Sequence, residues 1–182
     1  QLIGADMREL VFTSGATEAN NLAIKGIFEA LYFEGHFITS AIEHKAVLDP
    51  ANYLQKKGVA VSFVPAFKDG LVTVEAIERA VRPDTKLISV MYVNNELGTI
   101  NPIADIAAFA ASRGIAFHVD AAQAVGKVKI DLSSLPIDLM SISAHKFYGP
   151  KGIGALYIRR GVQPAPLAQV HGGGHERNFR SG

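Results

Sequence analysis

The sequence predicts an α/β fold, a mostly parallel sheet with helices on both faces. Short apolar runs alternate with longer helical patterns along the whole chain, the order in which crossover helices join parallel strands. Polar and charged residues recur where the apolar runs end, as in Thr13-Ser14, Val93-Asn94, Val119-Asp120 and Ser143-Ala144-His145-Lys146. In open α/β sheets ligands bind beyond the carboxyl ends of the strands. A hydrophobic share of 48% over 182 residues suffices for a single domain with a substantial core.

The first strand is Leu10 to Thr13, a short apolar run ending in Ser14-Gly15-Ala16-Thr17-Glu18; a helical pattern follows over Glu18 to Phe33. Phe37 to Ser40 is the second strand, and Lys45 to Lys57 the helix after it. Ala60 to Val64 precedes the helical stretch Val74 to Val81, and Leu87 to Val93 precedes Ile103 to Arg113. Three further apolar runs, Phe117 to Asp120, Leu139 to Ser143 and Ala155 to Ile158, complete the strands. Gly161 to Pro166 reads as a loop leading to a glycine-rich end, and no linker divides the chain.

Lys146 follows a buried-type strand and precedes a Gly/Pro turn, which makes it the leading candidate for a Schiff-base lysine. Its amine attacks an aldehyde only when neutral, and a partly desolvated pocket, walled by Leu139, Met140 and Ile142, would favour that form. The alternative is an exposed loop lysine. Asp120, with Gln123 after it, can pair with a protonated ring nitrogen or cap a helix. The small residues around Ala16, with the Thr17 hydroxyl, suit either a phosphate at a helix N-terminus or a capped helix start. His44 can stack on an aromatic cofactor, move protons, or simply open a helix. Asn94 and Asn95 would also serve as turn residues.

Together these segments resemble the cysteine desulfurases of the NifS and IscS type, within the class V aminotransferase-like branch of fold-type I pyridoxal phosphate (PLP) enzymes. The resemblance rests on Thr13-Ser14-Gly15-Ala16-Thr17-Glu18, Glu43-His44-Lys45, Val93-Asn94-Asn95-Glu96, His118-Val119-Asp120-Ala121-Ala122-Gln123, Ser143-Ala144-His145-Lys146 and His171-Gly172-Gly173-Gly174-His175-Glu176-Arg177. It implies that Lys146 holds PLP covalently, Asp120 pairs with its ring nitrogen and His44 stacks on the ring. Ala16, Thr17, Ser143 and His145 would hold the phosphate, Gln123 the ring oxygen, and Asn95 would lie near the substrate carboxylate. The implied substrate is L-cysteine, and the products are alanine and persulfide sulfur for iron-sulfur cluster or thio-cofactor assembly. A cytoplasmic homodimer that passes sulfur to an acceptor or scaffold protein is implied as well. Selenocysteine lyase or another class V PLP lyase is the alternative enzyme, and a non-catalytic PLP-binding fragment the alternative of another kind.

The main departure from the family is the absence of cysteine. A persulfide needs a thiolate, and no other side chain substitutes for it. Because Gln1 is not an initiator methionine and the family continues beyond the match to Gly182, residues 1–182 are expected to be a PLP-binding large domain lacking the small domain. A net charge of +1 gives no reason to expect nucleic acid, and no apolar run approaches the roughly 20 residues of a membrane span. Gly149 to Gly154 lacks the Gly-Lys-Ser/Thr ending of a P-loop. His171 and His175 flank three glycines with only Glu176 nearby, so no metal is expected.

Overall fold

The computed structural model describes residues 2–182, and Gln1 lies outside the described residues. In chain order the elements are β1 (Leu10–Thr13), α1 (Ala16–Ala30), β2 (His36–Ser40), α2 (Lys45–Lys56), β3 (Ala60–Val64), α3 (Val74–Ala80), β4 (Thr85–Ser89), α4 (Ile103–Ser112), β5 (Ala116–Asp120), β6 (Leu139–Ser143) and β7 (Gly154–Ile158). The strands form one seven-stranded sheet in the order β1-β7-β6-β5-β4-β2-β3. From β3 to β6 all pairings are parallel, whereas β7 runs antiparallel to both β6 and β1. The sheet is thus mostly parallel, as its alternating apolar runs and helices predict. Because β7 alone is reversed, β1 and β6 end on the same rim.

Two cores lie on opposite faces of the sheet. Helices α1 and α2 pack through Leu22, Ile24, Ile27, Val47 and Leu54 against Val11, Phe37, Leu87 and Leu156. On the other face, Ile77 of α3 and Ile103 and Ile106 of α4 meet Ile38, Ile88, Phe117 and Val119. Each fully buried aliphatic side chain of this kind stabilises the fold by roughly 1.5–3 kcal/mol. Strand alternation then fixes the site's polarity: with Phe117 and Val119 facing α4, His118 and Asp120 of β5 face α1.

Several element ends differ from the sequence reading by one residue, and the larger differences, in α1 and β4, have local reasons. Helix α1 starts at Ala16 rather than Glu18 and ends at Ala30 rather than Phe33, because Tyr32 and Phe33 adopt left-handed φ of 53° and 60° and turn the chain back. Strand β4 covers Thr85–Ser89 instead of Leu87 to Val93. Beyond Ser89 the chain stays beside β5, with Val90 N and Tyr92 N donating to the carbonyls of His118 and Asp120 at 3.2 and 2.9 Å. It then bends around Asn94, whose Oδ1 accepts from the amides of Glu96 and Leu97, both at 2.9 Å. Among the described residues no helix is long and apolar enough to cross a membrane.

Candidate active site

A cavity of about 460 Å³ opens at the rim where β1, β5 and β6 end. The nine residues that the resemblance assigns to the cofactor and substrate line it: Ala16 and Thr17 from the start of α1, His44 from the start of α2, Asn95 from the bend after β4, Asp120 and Gln123 from the end of β5, and Ser143, His145 and Lys146 from the end of β6. Asp120, Ser143 and Met91 are buried at its base, while Thr17, His44, Asn95, His145 and Lys146 are exposed around its mouth. Among the described residues no cluster of three His, Asp or Glu side chains is placed to hold a metal.

Asp120 is the electrostatic centre of the base. Its Oδ1 accepts from Ala122 N at 3.0 Å and its Oδ2 from Asn20 Nδ2 at 2.8 Å. Burial pushes its carboxyl above the ordinary value, against those two hydrogen bonds and the charge of His44. Among the described residues it belongs to none of the ion pairs. A buried carboxylate that faces a cavity and forms no ion pair suits a positively charged ligand group. Of the two readings left open by the sequence, helix capping does not apply, since no helix follows β5 before β6.

The remaining groups are held by short local contacts. His44 is the N-cap of α2, its Nδ1 accepting from Ala46 N at 3.0 Å, which assigns the proton to Nε2. Ser143 Oγ lies 3.0 Å from His145 Nδ1, and Gln123 Oε1 accepts from Lys127 Nζ at 2.9 Å. Helix α1 begins at Gly15 with no side-chain cap, so its first amides stay open toward the cavity. Close approach of strands makes this turn possible: a Cβ on Gly154 of β7 would sit 2.5 Å from Gly15 Cα and 2.6 Å from the Ile142 carbonyl oxygen. Lys146 rides on the short 3-10 turn Ala144–Phe147, which ends at Tyr148 with φ 68°.

The wall expected around Lys146 is a correction. Leu139, Met140 and Ile142 point into the two cores rather than into the cavity. The apolar lining comes instead from Met91, Val93, Ala46 and Ala122. An inward-facing strand residue cannot also face the strand's end, and the cavity lies at the end.

The family profile described as aminotransferase class-V matches residues 1–181. The chain belongs to the aminotransferase class-V family. It is 58% identical over 182 residues to a protein named cysteine desulfurase IscS from Pseudomonas syringae pv. tomato, covering 100% of this chain and 45% of that protein. A protein of the same name from Pseudomonas aeruginosa is 57% identical over 185 residues with the same coverage. Among solved structures, SspA in complex with cysteine superposes with a TM-score of 0.95 at 48% identity, covering 100% of this chain and 52% of that one. A NifS-like protein superposes at 0.94 and 43% identity, covering 100% and 50%. The chain spans about half the length of these relatives.

Within this aminotransferase class-V chain, sequence reasoning missed the partners behind the cavity. Asn20 lies in the apolar stripe of α1 beside Ala19, Ala23 and Ile24, and a lone amide on such a face was the available signal. Glu43, noted only as a neighbour of His44, is fully buried: its Oε1 accepts from Ser40 Oγ at 2.6 Å and Met91 N at 2.9 Å. Its Oε2 has no partner, and burial pushes its carboxyl up to about 8. His118 spans the sheet between Ser89 Oγ at 2.8 Å and Ser141 Oγ at 2.9 Å; burial lowers it to about 3, so it is neutral.

Proposed function

We propose that residues 1–182 are the PLP-binding large domain of a cysteine desulfurase. The enzyme would take L-cysteine, release alanine and hand the sulfur to a thiol as a persulfide. The observation that carries this reading is buried Asp120, in none of the ion pairs among the described residues, at the base of a cavity whose mouth holds Lys146.

The residues present fit the cofactor. Asp120 offers a negative partner to a protonated ring nitrogen. The open amides of α1, with Thr17, Ser143 and His145, suit a phosphate group. Lys146 supplies the amine for a carbonyl. The cavity volume, about 460 Å³, falls among those of small-molecule sites. When bound, PLP supplies an electron sink for the bond changes at the substrate carbon.

The chain's own residues then orient and move protons. Asp120 keeps the ring nitrogen charged, and Asn20 keeps Asp120 turned toward the cavity. His44, with Nδ1 occupied by Ala46 N, presents Nε2 as its free proton-bearing atom beside the ring. Gln123 would contact the ring oxygen, and Asn95 would hold the substrate carboxylate. Lys146, exposed at the mouth, would supply the amine to cofactor and substrate. The thiol that accepts sulfur is not among these 182 residues, which contain no cysteine. We place it, the small domain and a partner subunit's contacts outside this stretch, in a cytoplasmic homodimer that serves a sulfur acceptor or scaffold protein. The relatives named cysteine desulfurase support that substrate over selenocysteine.

The test is borohydride reduction of the PLP-loaded protein followed by peptide mapping. The label is expected on Lys146 and should vanish from the site in Lys146→Ala; a label retained there would refute the assignment. The 182-residue chain alone, given PLP and L-cysteine, is expected to release no sulfur. Sustained production of sulfide and alanine by it would sink the persulfide route.

A further inference from the structure

We propose that Arg180 tunes the anion affinity of the α1 N-terminus by neutralising Glu18, so that docking of the segment 176–182 and binding of a phosphate group favour each other. The inference rests on the reading that α1 receives the phosphate of PLP.

Glu18 stands in the first turn of α1, after Ala16 and Thr17. A carboxylate there is drawn to the same positive helix end as a bound phosphate and repels it. Its geometry turns it aside: one oxygen accepts from Ser14 N at 2.8 Å and Ser14 Oγ at 2.5 Å, the other from Arg180 Nε at 2.8 Å. Burial alone would push this carboxyl up, but the bonds from Arg180 and Ser14 outweigh it and hold Glu18 below its ordinary value. Glu18 is therefore ionised at neutral pH, and the net charge of the phosphate turn depends on whether Arg180 is in place.

Arg180 is well seated for this role. Of the six ion pairs among the described residues, Arg180–Glu18 is the one with both side chains largely buried, at 25 and 17% exposed. The segment carrying it is clipped to the free edge of β1 by side chains: Glu176 Oε2 accepts from Phe12 N at 2.8 Å, and the Arg177 guanidinium donates to the Leu10 carbonyl at 2.6 Å. Ser14, which Glu18 holds, lines the cavity next to Gly15 and Ala16. The segment 176–182 thus reaches the phosphate turn through a single charge contact. Linkage makes the effect mutual: if a docked Arg180 tightens phosphate binding, bound phosphate must tighten the docking of Arg180.

A double-mutant cycle in the full protein tests this, using Arg180→Gln, Glu18→Gln and the pair together, with PLP affinity from spectroscopic titration and folding checked by thermal unfolding. Arg180→Gln is expected to weaken PLP binding by about tenfold, and by less than about twofold once Glu18→Gln is present. Equal losses in both backgrounds would mean that Arg180 only staples the segment 176–182 in place, and would overturn the proposal. Should Arg180→Gln fail to fold, two other variants decide it. Arg180→Lys should hold affinity within about threefold, and Glu18→Gln should bind at least as tightly as the parent; a loss in either overturns it. A second readout is hydrogen exchange: saturating PLP should slow exchange across residues 176–182, and unchanged exchange would refute the coupling. A parent that binds no PLP would overturn the phosphate reading itself, an outcome distinct from all of these.

Discussion

Asn20 Nδ2 donates to Asp120 Oδ2 at 2.8 Å, tying the first helix to the end of the central strand across 100 positions of sequence. Both side chains are buried, and among the described residues Asn20 Oδ1 has no partner. The contact therefore serves Asp120 more than it serves Asn20: it satisfies one carboxylate oxygen and fixes the carboxylate plane.

Replacing Asn20 with alanine should cost about 1–3 kcal/mol of stability, the usual loss when a buried acceptor is stripped of its donor. PLP affinity should fall with it, because Asp120 is freed to rotate. Urea unfolding and a cofactor titration measure the two effects. A variant as stable as the parent would show that water replaces the amide.

Asp120→Asn keeps the shape but removes the charge that opposes a ring nitrogen. Some PLP should stay bound, while exchange of the substrate's α-proton in the full protein slows by about tenfold or more. Proton exchange in deuterated water followed by NMR is the measurement. Exchange at the parent rate would remove Asp120 from this role.

Glu43→Gln isolates one buried proton. The folded carboxyl titrates at about 8 against an ordinary value of 4.5, so between these pH values the folded chain binds more protons than the unfolded chain. Parent stability then falls as pH rises through this window. The stability difference between Glu43→Gln and the parent should grow in the variant's favour from pH 4.5 to 8 and level off above, at about 1.4 kcal/mol per pH unit at most. Chemical denaturation at several pH values measures it. A difference that stays flat would mean that Glu43 is ionised when folded.

Much of this was legible in sequence because the signals are local. Strands β3 and β6 match their predicted bounds, Ala60 to Val64 and Leu139 to Ser143; β6 is buried along its whole length, which leaves little freedom, and β3 is a partly buried apolar run at the sheet edge. The clustering of Ala16, His44, Asp120 and Lys146 followed from a resemblance in the order and spacing of motifs, not from composition. What stayed hidden depends on partners far away in the chain. Asn20 answers to Asp120, Glu43 to Met91, and Glu18 to Arg180. The end of β4 at Ser89 escaped notice because the apolar run continues to Val93 after the ladder stops. Nor does any local pattern reveal that β7 is reversed.

That reversal sets an order of assembly. Strand β1 is made first, yet its only strand partner is β7, with Leu10 opposite Tyr157 and Thr13 opposite Gly154. During synthesis the turn at Ser14 to Thr17 must wait, one edge unpaired, until β7 has emerged, while strands β2 to β6 can already pair among themselves. Contacts between such distant segments form slowly because the intervening loop must first be closed. The pocket is thus completed only after β7 has joined the sheet, and a ligand that grips α1 rests on a turn that β7 holds in place.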